Sequence, residues 1–237
     1  MPSAPVAVLV HGAGSSTDFV LRAMGSAVCA QGWEPLAIAH MGCVDEAGTA
    51  IDEVARRREV RVVGGISIGA HAAATWASSR SHELAGLLLV MPAWTGAARR
   101  SAASRLTHMA AAQITEEGSA TVLEQLLTDP ALAGDWVLEE LARAWPQYGD
   151  SNLVAALRAA AASPAPTLDD LRRLVTPTGV VALAEDPLHP ESVAAAWAAA
   201  LPHSAMHVVP RHAPKSDRAV LGAAAVAAWS QVVSGSR

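Results

Sequence analysis

The sequence predicts an α/β fold, with a mostly parallel central sheet of about six strands flanked by helices and a helical insertion. Three observations support this. Short apolar runs alternate with stretches of helical spacing, as in parallel strands joined by helices. The run 85–91 is apolar without a break, as a strand covered by helices on both faces must be. Between residues 95 and 170 the strand-like runs vanish, and Ala, Leu, Glu, Arg and Trp recur at helical spacing.

The expected strands are 6–10, 35–39, 60–64, 85–91, 179–184 and 206–209, with a helix over 191–200 and a closing helix over 218–233. The chain thus divides into a first core part (1–94), the insertion (95–170) and a second core part (171–237). Breakers at Asp129-Pro130, Trp145-Pro146, Gly149-Asp150 and Ser163-Pro164 cut the insertion into about four short helices. Thr167 and Asp170 have the spacing of a capping arrangement that restarts the core.

Composition excludes several classes. With 237 residues, 51% hydrophobic and 16% charged, the chain is long enough for one compact core and too apolar to be disordered. A net charge of -5 without clustered Lys and Arg argues against nucleic acid as partner, and Arg56, Arg57 and Arg58 read as a solvated helix end. Cys29 and Cys43 are too few for a disulfide framework, and no secretory leader is evident. No apolar run reaches the roughly 18 residues of a membrane span. A soluble cytoplasmic protein without cofactor is expected.

The strongest chemical signal is Val62-Val63-Gly64-Gly65-Ile66-Ser67-Ile68-Gly69, a strand ending in G-x-S-x-G with a helix starting at once. A nucleophile on so sharp a turn takes strained backbone angles, so the residues two positions away must be nearly free of side chain. Ser67 then stands at a helix N-terminus, where partial positive charge favours a developing oxyanion. The plain alternative is a Gly-rich turn with a solvated serine. The second signal is the first strand followed by His11-Gly12-Ala13-Gly14-Ser15-Ser16. A dinucleotide fingerprint at Gly12 and Gly14 is weak, because position 17 is Thr and the next strand ends at His40 rather than at an acid.

With its His-Gly turn after the first strand and its elbow some fifty residues on, the chain resembles the α/β-hydrolase superfamily over nearly its whole length. Its layout is similar to that of the capped carboxylesterase, enol-lactonase and bromoperoxidase-like members. The resemblance implies an oxyanion hole from the backbone amides of Ala13 and Ile68. A serine nucleophile needs a base and an orienting carboxylate, and the resemblance implies both. Glu185-Asp186-Pro187 resembles the family's acid loop, pointing to Asp186, and Arg211-His212-Ala213 stands where the family has its catalytic histidine, pointing to His212. The residue before that histidine is commonly Gly in the family and is Arg211 here. A serine at the elbow departs from the dehalogenases and epoxide hydrolases of the same fold, which attack with Asp.

The nine histidines show no H-E-x-x-H or paired Cys/His spacing, so no metal is expected. His71, His189, His203 and His207 read as structural, and His40 is given no role. The insertion, where the family carries its lid, contributes with its entry Trp94, Met109, Trp136, Trp145 and Tyr148, the first four read as candidate substrate-binding residues and otherwise as staples to the core. Arg99, Arg100 and Arg105 read as exposed helix arginines, or as a site for a carboxylate or a phosphopantetheine carrier. The expected activity is cleavage of a small carboxylic ester, thioester or lactone through an acyl-enzyme on Ser67. A carbon–carbon hydrolase or lyase using the same site and a non-hydrolytic ligand receptor are the alternatives.

Overall fold

The computed structural model of the chain describes residues 4–80 and 84–235. Its strands are β1 (Val6–Val10), β2 (Glu34–Ile38), β3 (Val60–Ile66), β4 (Gly86–Val90), β5 (Thr178–Leu183) and β6 (Ser204–Val209). They form one sheet in the order β2-β1-β3-β4-β5-β6, parallel at every pairing. The order reverses between β1 and β3, and in such sheets ligands bind in the crevice at the carboxyl ends flanking the reversal. Both β1 and β4 are buried along their whole length, in keeping with their unbroken apolar sequence, whereas the edge strand β2 is largely only half-buried.

Helices cover both faces. On one lie α3 (Val44–Ala55), α4 (Ile68–Ala77) and α10 (Glu191–Ala200), burying Ile51, Trp76 and Trp197 against Val8, Val63, Leu87 and Val180. On the other lie α1 (Thr17–Val20), α2 (Ser26–Cys29) and the closing helix α12 (Val220–Gly235), which cover Leu9, Leu88, Val181 and Leu183. Full burial of a Val or Leu side chain contributes about 1.5–3 kcal/mol, so the two cores dominate the stability. The bounds differ from the expected ones chiefly at β3, which continues through Gly64 and Gly65 to Ile66 because both glycines stay in the ladder, opposite Leu88 and Leu89.

Between β4 and β5 lie α5 (Ala102–Glu117), α6 (Ser119–Thr128), α7 (Trp136–Ala144) and α8 (Asp150–Ala162), with short 3-10 turns at Asp129-Pro130 and Trp145-Pro146. These helices share a third apolar cluster of Ile114, Val122, Trp145, Leu153 and Leu157, packed against Ala13 of the first turn. Asp135 caps α7 by accepting a hydrogen bond from the Val137 amide at 3.0 Å. Then α9 (Leu168–Arg172) opens with a reciprocal capping box between Thr167 and Asp170. A one-turn helix, α11 (Ala213–Ser216), connects β6 to α12. Among the described residues no helix is long and apolar enough to cross a membrane.

Candidate active site

The turn from β3 to α4 is shaped by sterics. Ser67 has φ 58° and ψ -119°, a left-handed conformation that a non-glycine residue adopts only when its surroundings force it. A Cβ on Gly65 would collide with the Gly69 carbonyl, and one on Gly69 with the carbonyls of Val10 and His11. Both glycines of G-x-S-x-G are therefore fixed by backbone approach, and the second seats the elbow on the end of β1. Ile68 is the first residue of α4, so its amide is one of the donors that a helix leaves without an internal acceptor. The His11-Gly12 turn packs alongside, with a Cβ at Gly12 lying only 3.6 Å from the Ser67 Cβ. Ser67, Ile68 and the turn carrying Ala13 thus come together.

The imidazole that meets Ser67 belongs to His189. Its Nε2 lies 2.9 Å from the Ser67 Oγ, and its Nδ1 lies 3.4 Å from Asp186 Oδ2. These partners fit a neutral ring whose Nδ1–H donates to the carboxylate while Nε2 accepts from the serine hydroxyl. The sequence Asp186-Pro187-Leu188-His189-Pro190 folds this way for local reasons. Asp186 Oδ1 accepts from the amides of Leu188 at 2.8 Å and His189 at 3.1 Å, an Asx-type turn that doubles the chain back over its own carboxylate. Pro187 and Pro190 follow Asp186 and His189 directly, and a residue before Pro is biased away from the helical region. Burial alone would raise the Asp186 carboxyl, but the hydrogen bond and charge of His189 and the two loop amides outweigh it and hold the group well below the usual carboxylate range.

The sequence pointed to His212 as the partner of Ser67, and here the structure differs. His212 is exposed, at the N-terminus of α11, and among the described residues no hydrogen bond or ion pair joins its ring to Ser67 or Asp186. The residue before it stands beside the same carboxylate. Arg211 Nη1 lies 3.5 Å from Asp186 Oδ1, its Nη2 donates to Asp135 Oδ2 at 2.7 Å, and its carbonyl accepts from Trp136 Nε1 at 3.1 Å. The guanidinium thus stands at the flank of the Asp186 carboxylate as an ion pair, without a hydrogen bond from Nη1. The signal that could have found His189 was the spacing in Asp-Pro-x-His, which an Asx turn folds into contact.

Three buried histidines surround the site without charge. His40 Nε2–H donates to the His11 carbonyl at 2.9 Å and its Nδ1 accepts from the Gly42 amide at 3.0 Å, so it clamps the turn beside Ser67. The His11 ring stacks on it at 4.3 Å between centroids and donates from Nδ1 to the Gly12 carbonyl at 2.8 Å. Burial, then repulsion from His40, pushes His11 down to about 4, and burial lowers His40 as well. His71 Nε2 accepts from the Ala93 amide at 3.0 Å, and burial, with a smaller contribution from His189, pushes it down to about 3. Sequence reasoning gave these rings packing roles or none, and missed the clamp.

The aromatic residues separate into two groups. Trp94 packs edge-on against His71, 4.6 Å between centroids, and Trp145 is buried with its indole against Gly14. Trp145 also lines an apolar cleft of about 470 Å³ with Leu123, Leu127 and Pro146. Trp136, read as a candidate substrate contact or a staple, has the contacts of a staple: it packs on Phe19, lies under Arg218 and donates to the Arg211 carbonyl. Met109 is 65% exposed on α5 and lines neither group. Arg99 and Arg105 are exposed, and the side chain of Arg100 lies outside the described residues. Among the described residues no cluster of His, Cys, Asp and Glu could hold a metal ion.

No family model and no curated protein sequence matches the chain. Solved structures do. An esterase from Thermogutta terrifontis superposes with a TM-score of 0.66 at 21% identity, covering 92% of this chain and 86% of that one. The enol-lactonase of Burkholderia xenovorans LB400 gives 0.65 at 14% identity, covering 88% and 83%. A structure from a study of carboxylesterases of Nitrososphaera gargenis gives 0.72 at 12% identity, covering 89% and 84%. At these identities the likeness is one of architecture, and it is definite: this chain has the α/β-hydrolase fold.

Proposed function

We propose that the chain is a serine hydrolase that cleaves a small carboxylic ester, or the corresponding thioester or lactone, through an acyl-enzyme on Ser67. The observation that carries this reading is the hydrogen-bonded relay in which Ser67 Oγ meets His189 Nε2 at 2.9 Å and His189 Nδ1 faces Asp186. His189 takes the hydroxyl proton as Oγ attacks the acyl carbon, and Asp186 stabilises the imidazolium that forms. The amides of Ala13 and Ile68 hold the oxyanion. The imidazolium gives its proton to the leaving group, and His189 then takes a proton from water, whose oxygen attacks the acyl carbon and frees Ser67.

Residues 95–170 act in this reading as a cap that shapes the acyl and leaving-group pockets. Trp94 and Trp145 are its candidate substrate-facing side chains, given their closeness to His71 and Gly14. The ester-bond chemistry named for the Thermogutta, Burkholderia and Nitrososphaera proteins supports the substrate class. Ser67→Ala is expected to abolish turnover of short p-nitrophenyl esters together with labelling by a fluorophosphonate. A Ser67→Ala protein as active as the parent would sink the proposal.

A further inference from the structure

We propose that Arg211 is a positioning residue of this same site: it bridges Asp186 to Asp135 and thereby couples the seating of α7 to the electrostatics of His189. The kinetic arm of the test rests on the reading above; the spectroscopic arm does not.

The geometry is a chain of polar contacts in which Arg211 Nη1 meets Asp186 as an ion pair without a hydrogen bond. Asp186 presents Oδ2 to His189 Nδ1 and Oδ1 to two loop amides, and the Arg211 Nη1 approaches that second oxygen at 3.5 Å. The other arm of the guanidinium donates to Asp135 Oδ2 at 2.7 Å, while Asp135 Oδ1 caps α7. The side chains of Asp186 and Asp135 are 4% and 17% exposed, so water screens the first pair weakly and the second only in part. Trp136, next along α7, holds the Arg211 carbonyl, fixing the backbone from which the guanidinium reaches. One carboxylate therefore divides its negative charge between an imidazole and a guanidinium, and α7 determines where the guanidinium stands.

Other charged groups near this bridge are otherwise occupied. His71, facing from α4, is neutral. Arg218 pairs with Glu139 at 2.7 Å and Glu140 at 2.8 Å, and Glu140 also pairs with Arg22. Glu185, Lys215 and His212 are exposed.

Two substitutions should push His189 in opposite directions. Arg211→Gln removes the cation that competes for Asp186, so the imidazolium is favoured. Asp135→Asn removes a negative charge and frees Arg211 to close on Asp186, so the imidazolium is disfavoured; Asn is as good a helix cap as Asp, so α7 keeps its N-terminus. The readouts are the NMR-followed titration midpoint of the His189 imidazole and the acid limb of kcat/KM for a short p-nitrophenyl ester. Arg211→Gln is expected to move both upward by about half a unit to one unit, and Asp135→Asn to move both downward by a smaller amount. Arg211→Lys keeps the charge but not the fork, so it should leave the midpoint near the parent value while lowering kcat about tenfold.

A merely structural Arg211 would lower activity equally at every pH. Unmoved midpoints, or shifts of the same sign in Arg211→Gln and Asp135→Asn, would overturn the proposal. If Arg211→Gln does not fold, the downward shift in Asp135→Asn decides. Opposite midpoint shifts alongside a fully active Ser67→Ala would uphold the coupling while removing the hydrolase reading.

Discussion

Two loops leave the carboxyl edge of the sheet side by side, one after β5 and one after β6, and each carries proline and a histidine: Pro187, His189 and Pro190 in the first, Pro210 and His212 in the second. The β5 loop is held by its own atoms: the Asp186 carboxylate accepts two amides within three residues and turns His189 toward Ser67. The β6 loop is held by distant ones, because Arg211 reaches Asp135 and Asp186 and takes Trp136 on its carbonyl, while His212 points to solvent. A local turn can thus bring an imidazole to the serine as readily as the neighbouring loop can.

The sharpest way to break that comparison is to remove each histidine in turn. His189→Gln is expected to lower kcat on a short ester by about 10³-fold or more, the scale on which a relay member acts. His212→Gln should change kcat by less than about twofold, in keeping with a solvated surface side chain. The reverse order of effects would show that the β6 loop carries the base.

The elbow against which both loops are aligned should be equally intolerant. Gly69→Ala pushes a methyl into the carbonyls of Val10 and His11, so it is expected to destabilise the protein by about 3 kcal/mol in urea unfolding, the upper end for overpacking. A stable Gly69→Ala protein would mean that the elbow is not seated on β1 as described.

Acid should weaken the turn beneath the elbow. His11, His40 and His71 all lie below the ordinary value of 6.5 in the folded chain, at about 4 for His11 and about 3 for His71. The unfolded chain takes up their protons near 6.5 and the folded chain does not, so their stabilisation is complete above that pH. It is lost as the pH falls toward the folded values. Urea unfolding should therefore report a loss of about 1 kcal/mol each for His11 and His71 between pH 6.5 and 5.5, with a loss of the same sign from His40. A flat profile across that interval would show that the three rings are not buried neutral. The smallest effect belongs to Trp136→Phe, which deletes the donor to the Arg211 carbonyl. It should cost about 1 kcal/mol of stability and leave fluorophosphonate labelling of Ser67 intact.

Much of the molecule is legible in the sequence. The six strands, the capping box at Thr167 and Asp170, and the glycines around Ser67 are written in short-range patterns: apolar runs, breakers and a turn that closes only without side chains. The resemblance also led to Asp186, which the structure sets against His189. What escaped was the partner of Ser67, the clamp by His40 and the difference between Trp136 and Trp145, since each depends on residues far apart in sequence.

By itself, then, the sequence determined the layering of the fold and the elbow, because hydrophobic period and backbone sterics act over a few residues. Only the tertiary structure decided which imidazole meets the serine. An imidazole three residues away and a guanidinium from the loop after β6 both stand at one buried carboxylate, and which ring reaches the serine depends on distances that a linear pattern does not contain.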